Sequence, residues 1–230
     1  MPDFADDADL FAAMRGRLFT AVVGDVLDRM GLLHQFLPPH IRALRADMVA
    51  LGRAMPVLEA DYFAAADPAG QTALSRQPFG LMFQALDSLK PQEVYVAAGA
   101  SPRYALWGEL MSTRALHLQA AAAVVDGYCR DSAAILALNF PTFSHGTYAQ
   151  DQGPRGKVVD YGVPIEIGAV RIRPGDILFG DRDGVLVIPR EAEAEAIALA
   201  LEKAATENRV RLAIEAGMST VEAFARFGVM

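Results

Sequence analysis

The stretch A-V-V-D-G-Y-C-R-D, Ala123 to Asp131, decides how the chain is read. Three apolar residues run into Asp126-Gly127, a turn pair, and the turn ends in Arg130-Asp131. The pattern predicts a buried strand that stops abruptly and presents a guanidinium and a carboxylate at its carboxyl end. In α/β proteins ligands sit just outside the carboxyl ends of the strands. A plainer reading competes with this one: a strand-to-helix turn in which Asp131 caps the next helix and Arg130 is its surface ion pair. Locally, both readings stay open.

Working outward, Gly108 to Ala122 reads as the central helix, with small residues suited to packing on a sheet, and Ser132 to Leu138 as the helix after the opening strand. Glu93 to Ala97 reads as a strand closed by the loop Gly99-Ala100-Ser101-Pro102, and Phe79 to Leu89 as a helix stopped by Lys90-Pro91. A strand is expected through Arg53 to Val57, followed by a loop from Ala64 to Gln71. The middle of the chain thus alternates strand and helix, which predicts parallel pairing with right-handed crossovers.

Beyond it the pattern turns antiparallel. Lys157-Val158-Val159, Val163–Ile167, Val170–Ile172, Ile177–Phe179 and Val185–Ile188 are short strand candidates, with Gly168-Ala169 as a two-residue turn. Two helices are expected at the start, near Asp9–Leu18 and Ala21–Met30, the second capped by Thr20 and stopped by Gly31. Asp25 and Asp28 are assigned to its solvated face. A long helix from Glu191 to about Ala216 ends at Gly217, and Ser219 or Thr220 caps a last short one closed by Gly228. No linker-like segment intervenes, so residues 1–230 are read as a single α/β domain whose long helix packs on a neighbouring subunit.

Composition narrows the function. A chain of 230 residues with 53% hydrophobic and 21% charged residues is a folded globular protein. Its net charge of −7 argues against a nucleic-acid-binding surface. The acidic start carries no secretory signal and no apolar run suffices for a membrane span, so a cytoplasmic protein with no membrane partner is expected. The lone Cys129 permits neither an internal disulfide nor a thiolate metal cluster; it reads as small core filler. Phosphate loops, G-x-G-x-x-G, H-E-x-x-H and G-x-S-x-G are all absent. The four histidines, His34, His40, His117 and His145, are scattered without ligand spacing. His117 reads as a packing or hydrogen-bonding residue, not a ligand, and His145 first as a loop residue and only second as a neighbour of a site. Any metal should therefore have mainly oxygen ligands, which points to Mg²⁺ or Mn²⁺ retaining several waters.

Gly108-Glu109-Leu110-Met111 opens the central helix, where free N–H groups and the helix dipole favour a carboxylate ligand. Glu109 is separated by 20 residues from Arg130-Asp131. A helix and a returning strand between them can bring both ends to one sheet edge, making a site for a small anionic keto acid held on a divalent metal.

This arrangement resembles the RraA-like family, which contains the class II 4-hydroxy-4-methyl-2-oxoglutarate aldolases and a regulator of ribonuclease E. The resemblance runs through T-A-V-V-G-D-V-L-D-R-M-G, L-K-P-Q-E-V-Y-V-A-A-G, W-G-E-L-M-S-T-R-A, V-V-D-G-Y-C-R-D, R-P-G-D-I-L-F-G-D-R-D-G-V-L-V-I-P and E-N-R-V-R-L-A-I-E-A-G-M-S-T-V-E-A-F. It implies a three-layer β/β/α swivelling fold, assembled as a homotrimer or homohexamer with sites between subunits. It also implies residue roles. Asp131 would be the one direct ligand of Mg²⁺ or Mn²⁺, and Arg130 would contact the keto oxygen and stabilise the enolate. The backbone of Gly108, Glu109, Leu110 and Met111 would hold the pyruvyl carboxylate. Glu109 stands where the family has Asp, and Glu207 matches an acidic residue contributed by a neighbouring subunit; a solvated helix face is its plainer role. The activity implied is pyruvate-forming cleavage of a 4-hydroxy-2-oxo acid, with oxaloacetate decarboxylation as a side reaction. The alternative on the same fold is a non-catalytic regulator. Arg155, in the loop Gly146–Gly156, is noted as a possible second anion contact.

Overall fold

Alternation along the buried strands builds the larger part of the molecule. Val94, Val96 and Ala98 face one side of their strand, and Tyr95 and Ala97 the other; both sets are buried. Ala122 and Val124 against Ala123 and Val125 repeat the division one strand over. Side chains that alternate and are buried on both faces demand a cover on each side of the sheet.

The computed structural model describes residues 4–62 and 72–229, so the expected loop Ala64–Gln71 lies outside the described residues. The chain divides into two compact units, residues 34–190 and residues 1–33 with 191–230.

In the first of these, the strands β1 (Arg42–Ala43), β2 (Ala50–Asp61), β3 (Glu93–Ala98), β5 (Ala122–Val125), β7 (Thr142–Ser144), β11 (Ile177–Asp181) and β12 (Gly184–Ile188) form one mixed sheet. Its order is β1-β7-β5-β3-β2-β11-β12, and β8 (Gly156–Tyr161) pairs with the far half of β2. β2, β3, β5 and β7 run parallel, as the strand–helix alternation predicts, while β1, β8, β11 and β12 pair antiparallel. The two kinds of pairing thus share one sheet. Its edges approach each other, because Arg42 of β1 donates to the Asp183 carbonyl in the β11–β12 turn at 2.6 Å.

One face is covered by the hairpin β9 (Ile165–Ile167) and β10 (Val170–Ile172), whose Ile165, Ile167, Val170 and Ile172 are buried against it. The other is covered by α4 (Met82–Asp87), α5 (Glu109–His117) and α6 (Ser132–Leu138), through Met82, Leu86, Ala115 and Ile135. Hairpin, sheet and helices are the three layers of the expected β/β/α class. A short helix, α3 (Ala73–Arg76), precedes α4.

Two expected elements are shorter than the sequence suggests. The central helix stops at His117, because Gln119 takes a left-handed conformation (φ 62°) and the chain turns straight into β5. The helix expected over Phe79–Leu89 begins only at Met82, since Phe79 and Gly80 both have positive φ. His117, read as a packing or hydrogen-bonding residue, is exposed in the last turn of α5.

The second unit is helical: α1 (Asp7–Met14), α2 (Thr20–Arg29), α7 (Glu193–Glu215) and α8 (Thr220–Phe227). α2 packs on α7, burying Val22, Val23, Val26 and Leu27 on one side and Ala196, Ile197, Ala200 and Leu201 on the other. Thr20 is the first helical residue and fully buried, not the cap; Phe19 occupies the N-cap position without a side-chain bond. The stops at Gly31, Gly217 and Gly228 form as expected, and of the two candidate caps Ser219 is the one used, in a capping box with Glu222. Asp25 lies on the solvated face as expected, and its carboxylate also accepts from the buried Lys203 Nζ at 2.8 Å. Among the described residues no helix is long and apolar enough to cross a membrane.

Candidate active site

Two short parallel strands, β4 (Ala105–Trp107) and β6 (Tyr128–Cys129), bring the predicted residues together. The sequence reading missed both. Because they pair Ala105 with Tyr128 and Trp107 with Cys129, they end side by side, at Gly108 and at Arg130-Asp131. The Arg130 amide donates to the Trp107 carbonyl at 2.9 Å and locks that register. The start of α5 is pinned as well. Trp107 Nε1 donates to Ser112 Oγ (2.7 Å), and Ser112 Oγ donates to the Gly108 carbonyl (3.0 Å).

The Asp131 side chain does not cap the next helix, although Arg130 does take part in half-exposed ion pairs. Asp131 occupies the N-cap position of α6 but makes no side-chain cap bond. Its backbone is left-handed (φ 55°, ψ 33°), a conformation that Asp tolerates at a cost and that concentrates at functional positions. The carboxylate is turned to the other strand end. Oδ2 accepts from the Glu109 amide at 3.4 Å and lies 3.6 Å from Arg130 Nε. Gly108 makes room for it: a Cβ there would stand 3.0 Å from Asp131 Oδ2 and 3.5 Å from Arg130 Cγ.

Arg130 is held on its other side by Asp151, which sequence reasoning did not single out. Arg130 Nη1 donates to Asp151 Oδ1 at 2.5 Å, and Asp151 Oδ2 accepts from the Gly153 amide at 3.0 Å. Arg155 serves this loop too, donating to the Asp151 carbonyl at 3.0 Å. Only its place in the Gly146–Gly156 loop hinted at Asp151. Arg130, Asp131 and Asp151 are each a little under half exposed, so the cluster faces water.

These groups sit at one end of a cavity of about 420 Å³. Gly108, Leu110 and Met111 line it, together with the apolar Phe79, Phe83 and Leu86. Gln152, which also lines it, donates from Nε2 to Glu59 Oε2 at 2.5 Å. Glu59 is wholly buried, and burial pushes its carboxyl from the ordinary 4.5 up to about 8.

Glu109 brings its amide to Asp131, while its carboxylate accepts from Thr113 Oγ1 at 2.9 Å, one helical turn on. Glu207 lies in α7 of the helical unit and pairs with Lys203. Burial disfavours the Lys203 charge, but hydrogen bonds to Asp25 and Glu207 outweigh that and raise its pKa. Cys129 is fully buried and its thiol pKa is raised by that burial, consistent with core filler.

One expectation is overturned. The histidines are not all scattered: His40 and His145 meet at Asp126, with Nε2 atoms 3.9 and 2.9 Å from its Oδ1.

Residues 20–187 match the family model described as RraA-like, Aldolase/RraA. The chain belongs to the RraA-like family. Among its relatives is a Halalkalibacterium halodurans protein named "Putative 4-hydroxy-4-methyl-2-oxoglutarate aldolase", 37% identical over 145 residues, 62% of this chain and 68% of that protein. DlpA of Legionella pneumophila is 37% identical over 117 residues, half of this RraA-like chain but only 19% of DlpA's own length. Among solved structures, Streptomyces coelicolor RraAS2, titled an unusual member of the RNase ES inhibitor RraA protein family, superposes with a TM-score of 0.74 at 22% identity. That match covers 92% of this chain and 99% of the other and supports the shared α/β fold.

Proposed function

We propose that this RraA-like protein is a divalent-metal-dependent lyase. It cleaves a 4-hydroxy-2-oxo acid, such as 4-hydroxy-4-methyl-2-oxoglutarate, to pyruvate and a second keto acid or aldehyde, and decarboxylates oxaloacetate as a side reaction. The observation that carries this reading is the freeing of the Asp131 carboxylate from helix capping, beside Arg130 and the N-terminus of α5 at the polar end of one cavity.

The donor set fits Mg²⁺ or Mn²⁺. Asp131 offers a hard, half-exposed carboxylate oxygen with room around it for water, the environment in which these ions are held by one or two carboxylates. Bound there, the ion supplies Lewis-acid polarisation of the keto oxygen.

The chain's own residues supply the rest. At the start of α5 the Glu109 amide is already engaged by Asp131, so the Leu110 and Met111 N–H groups, with the positive end of the dipole, receive the substrate carboxylate. Arg130 places its charge where the enolate oxygen develops, and Asp151 fixes the guanidinium so that little reorganisation accompanies the reaction. The C4 hydroxyl proton leaves to a carboxylate, Glu109 or Glu207 of a neighbouring copy in a homotrimer or homohexamer. The C3–C4 bond breaks, its electron pair becomes the pyruvate enolate, and protonation at C3 releases pyruvate. The apolar Phe79, Phe83 and Leu86 of the cavity lining would limit the size and polarity of the departing half.

The test is pyruvate release from oxaloacetate and from 4-hydroxy-4-methyl-2-oxoglutarate, with Mg²⁺ and with a chelator. Turnover that depends on the metal and is lost in Asp131→Ala supports the reading. Turnover indifferent to both sinks the mechanism, and no turnover on either acid points to a regulatory binding protein instead.

A further inference from the structure

A second constellation lies at the opposite end of the stretch that carries Arg130 and Asp131. Asp126 follows the last residue of β5, and His145 follows the last residue of β7, its parallel neighbour. His40 precedes β1, which runs antiparallel to β7 with Arg42 opposite Ser144. Three separate pieces of chain therefore deliver two imidazoles and a carboxylate to the carboxyl edge of one sheet, where α/β folds place their ligands.

We infer that His40, Asp126 and His145 form a binding site for a borderline-soft divalent cation of the Zn²⁺ type, distinct from the oxygen site at Asp131.

Both Nε2 atoms converge on the same oxygen, Asp126 Oδ1, at 2.9 Å from His145 and 3.9 Å from His40, and one donor atom from each residue lies within 4.8 Å of the others. Around a tetrahedral ion with ligand bonds near 2.0–2.1 Å, donors stand about 3.4 Å apart. The observed separations bracket that value, so closing on an ion takes a shift of about an ångström, within reach of the exposed His40 ring. A carboxylate–histidine pair explains one imidazole here. It does not call for a second aimed at the same oxygen.

The other two donors are anchored. The Asp126 amide donates to the Ala97 carbonyl at 2.9 Å, and the His145 amide to the Gly127 carbonyl at 2.7 Å. The His145 ring is flanked edge-on by His40 (4.3 Å between centroids) and Tyr128 (5.6 Å). Two nitrogens and one oxygen favour Zn²⁺ over Mg²⁺, which takes oxygen ligands. Three protein ligands on a face open at His40 leave a position for water.

The site has a consequence for its neighbour. From His145 the chain runs beside β6, with Cys129 N–H bonding Gly146 O and Tyr148 N–H bonding Cys129 O, and then reaches Asp151, the partner of Arg130. A cation at His145 ties down the root of that loop.

Equilibrium dialysis and calorimetry of the chelator-treated full chain with Zn²⁺ test the proposal, and Co²⁺ provides a visible ligand-field spectrum. One Zn²⁺ per chain is expected, with a raised thermal midpoint. Affinity should fall about tenfold or more in His145→Ala and in His40→Ala, since losing a direct ligand costs at least as much as losing an outer-shell partner. His40 is exposed, so His40→Ala keeps the test clear of misfolding. Asp131→Ala should bind Zn²⁺ as the wild type does, whether or not that variant makes pyruvate. Zn²⁺ binding unchanged in both histidine variants, lost in Asp131→Ala, or absent from the wild type would each overturn the assignment.

Discussion

Replacing Glu59 by Gln should change how stability depends on pH. Glu59 lies near the end of β2, beyond the inward-facing Met55 and Val57, and is only 2% exposed. Oε2 accepts from Gln152, but Oε1 has no hydrogen-bond partner among the described residues, and the buried Tyr95 hydroxyl likewise has none. Among the described residues no cation pairs with the carboxyl, so burial dominates and its pKa rises to about 8 from 4.5. Between those values the folded protein keeps a proton that the unfolded chain has lost, and unfolding becomes easier as pH rises. Protection is complete below the unfolded pKa and gone once pH passes the folded one. The full gap corresponds to on the order of 5 kcal/mol. That is an upper bound, because a small opening that admits water relieves the charged form. Glu59→Gln keeps the shape and the acceptor for Gln152 and cannot ionise. Urea unfolding of both proteins from about pH 5 to about pH 8.5 isolates the effect, since every other titration is shared. The variant should match the wild type at the acid end and exceed it by several kcal/mol at the alkaline end. Parallel curves would refute the reasoning and show that Glu59 ionises freely in the folded state.

At the proposed active site, Gly108→Ala should leave the thermal midpoint nearly unchanged, because the Gly108 backbone (φ −153°, ψ −177°) suits any residue. Its methyl meets Asp131 Oδ2 at 3.0 Å, so Mg²⁺ affinity and kcat/KM for pyruvate release should fall about 10–100-fold. Asp151→Asn removes a half-exposed charge pair, for which the expected stability loss is at most about 1 kcal/mol. The freed guanidinium then turns toward Asp131. Steady-state kinetics should show a higher Mg²⁺ half-saturation and roughly tenfold lower kcat/KM; unchanged values would remove Asp151 from the site.

What the sequence made legible follows from where local signals coincide with tertiary demands. The parallel core was readable because β3 and β5 are buried on both faces and end in loop residues such as Gly99 and Asp126-Gly127. Ser132–Leu138 and the Ile165–Ile172 hairpin were readable for the same reason: period and turn chemistry agree there. The end of α5 was not, because Gln119 adopts positive φ where glycine would have announced it. β4 and β6 are too short to show a period, although they are what sets Gly108 beside Arg130. The meeting of His40 with His145 depends on the β1–β7 pairing, a contact between distant segments that spacing along the chain does not encode. Glu59 was invisible for the opposite reason: a charged residue at a strand end reads as exposed, and only the packing around it shows otherwise.

Ala123 to Asp131 thus does two jobs because the chain changes sheets within it. β5 belongs to the main sheet and β6 to the small one, and the step between them passes through Gly127, where a Cβ would collide with Leu106 Cδ1 at 2.7 Å. That crossing separates two carboxylates only five positions apart in sequence. Asp126 stays at the edge of the main sheet, where β7 and the segment before β1 bring imidazoles to it. Asp131 is carried to the end of β6, where its neighbours are a backbone amide and a guanidinium. The donors that surround a carboxylate set its preference among cations: nitrogen beside it selects Zn²⁺-like ions, and an all-oxygen shell completed by water selects Mg²⁺ or Mn²⁺. A single strand-to-strand step in the fold therefore gives two chemically identical side chains different surroundings, and the two cation sites proposed for them differ in hardness accordingly.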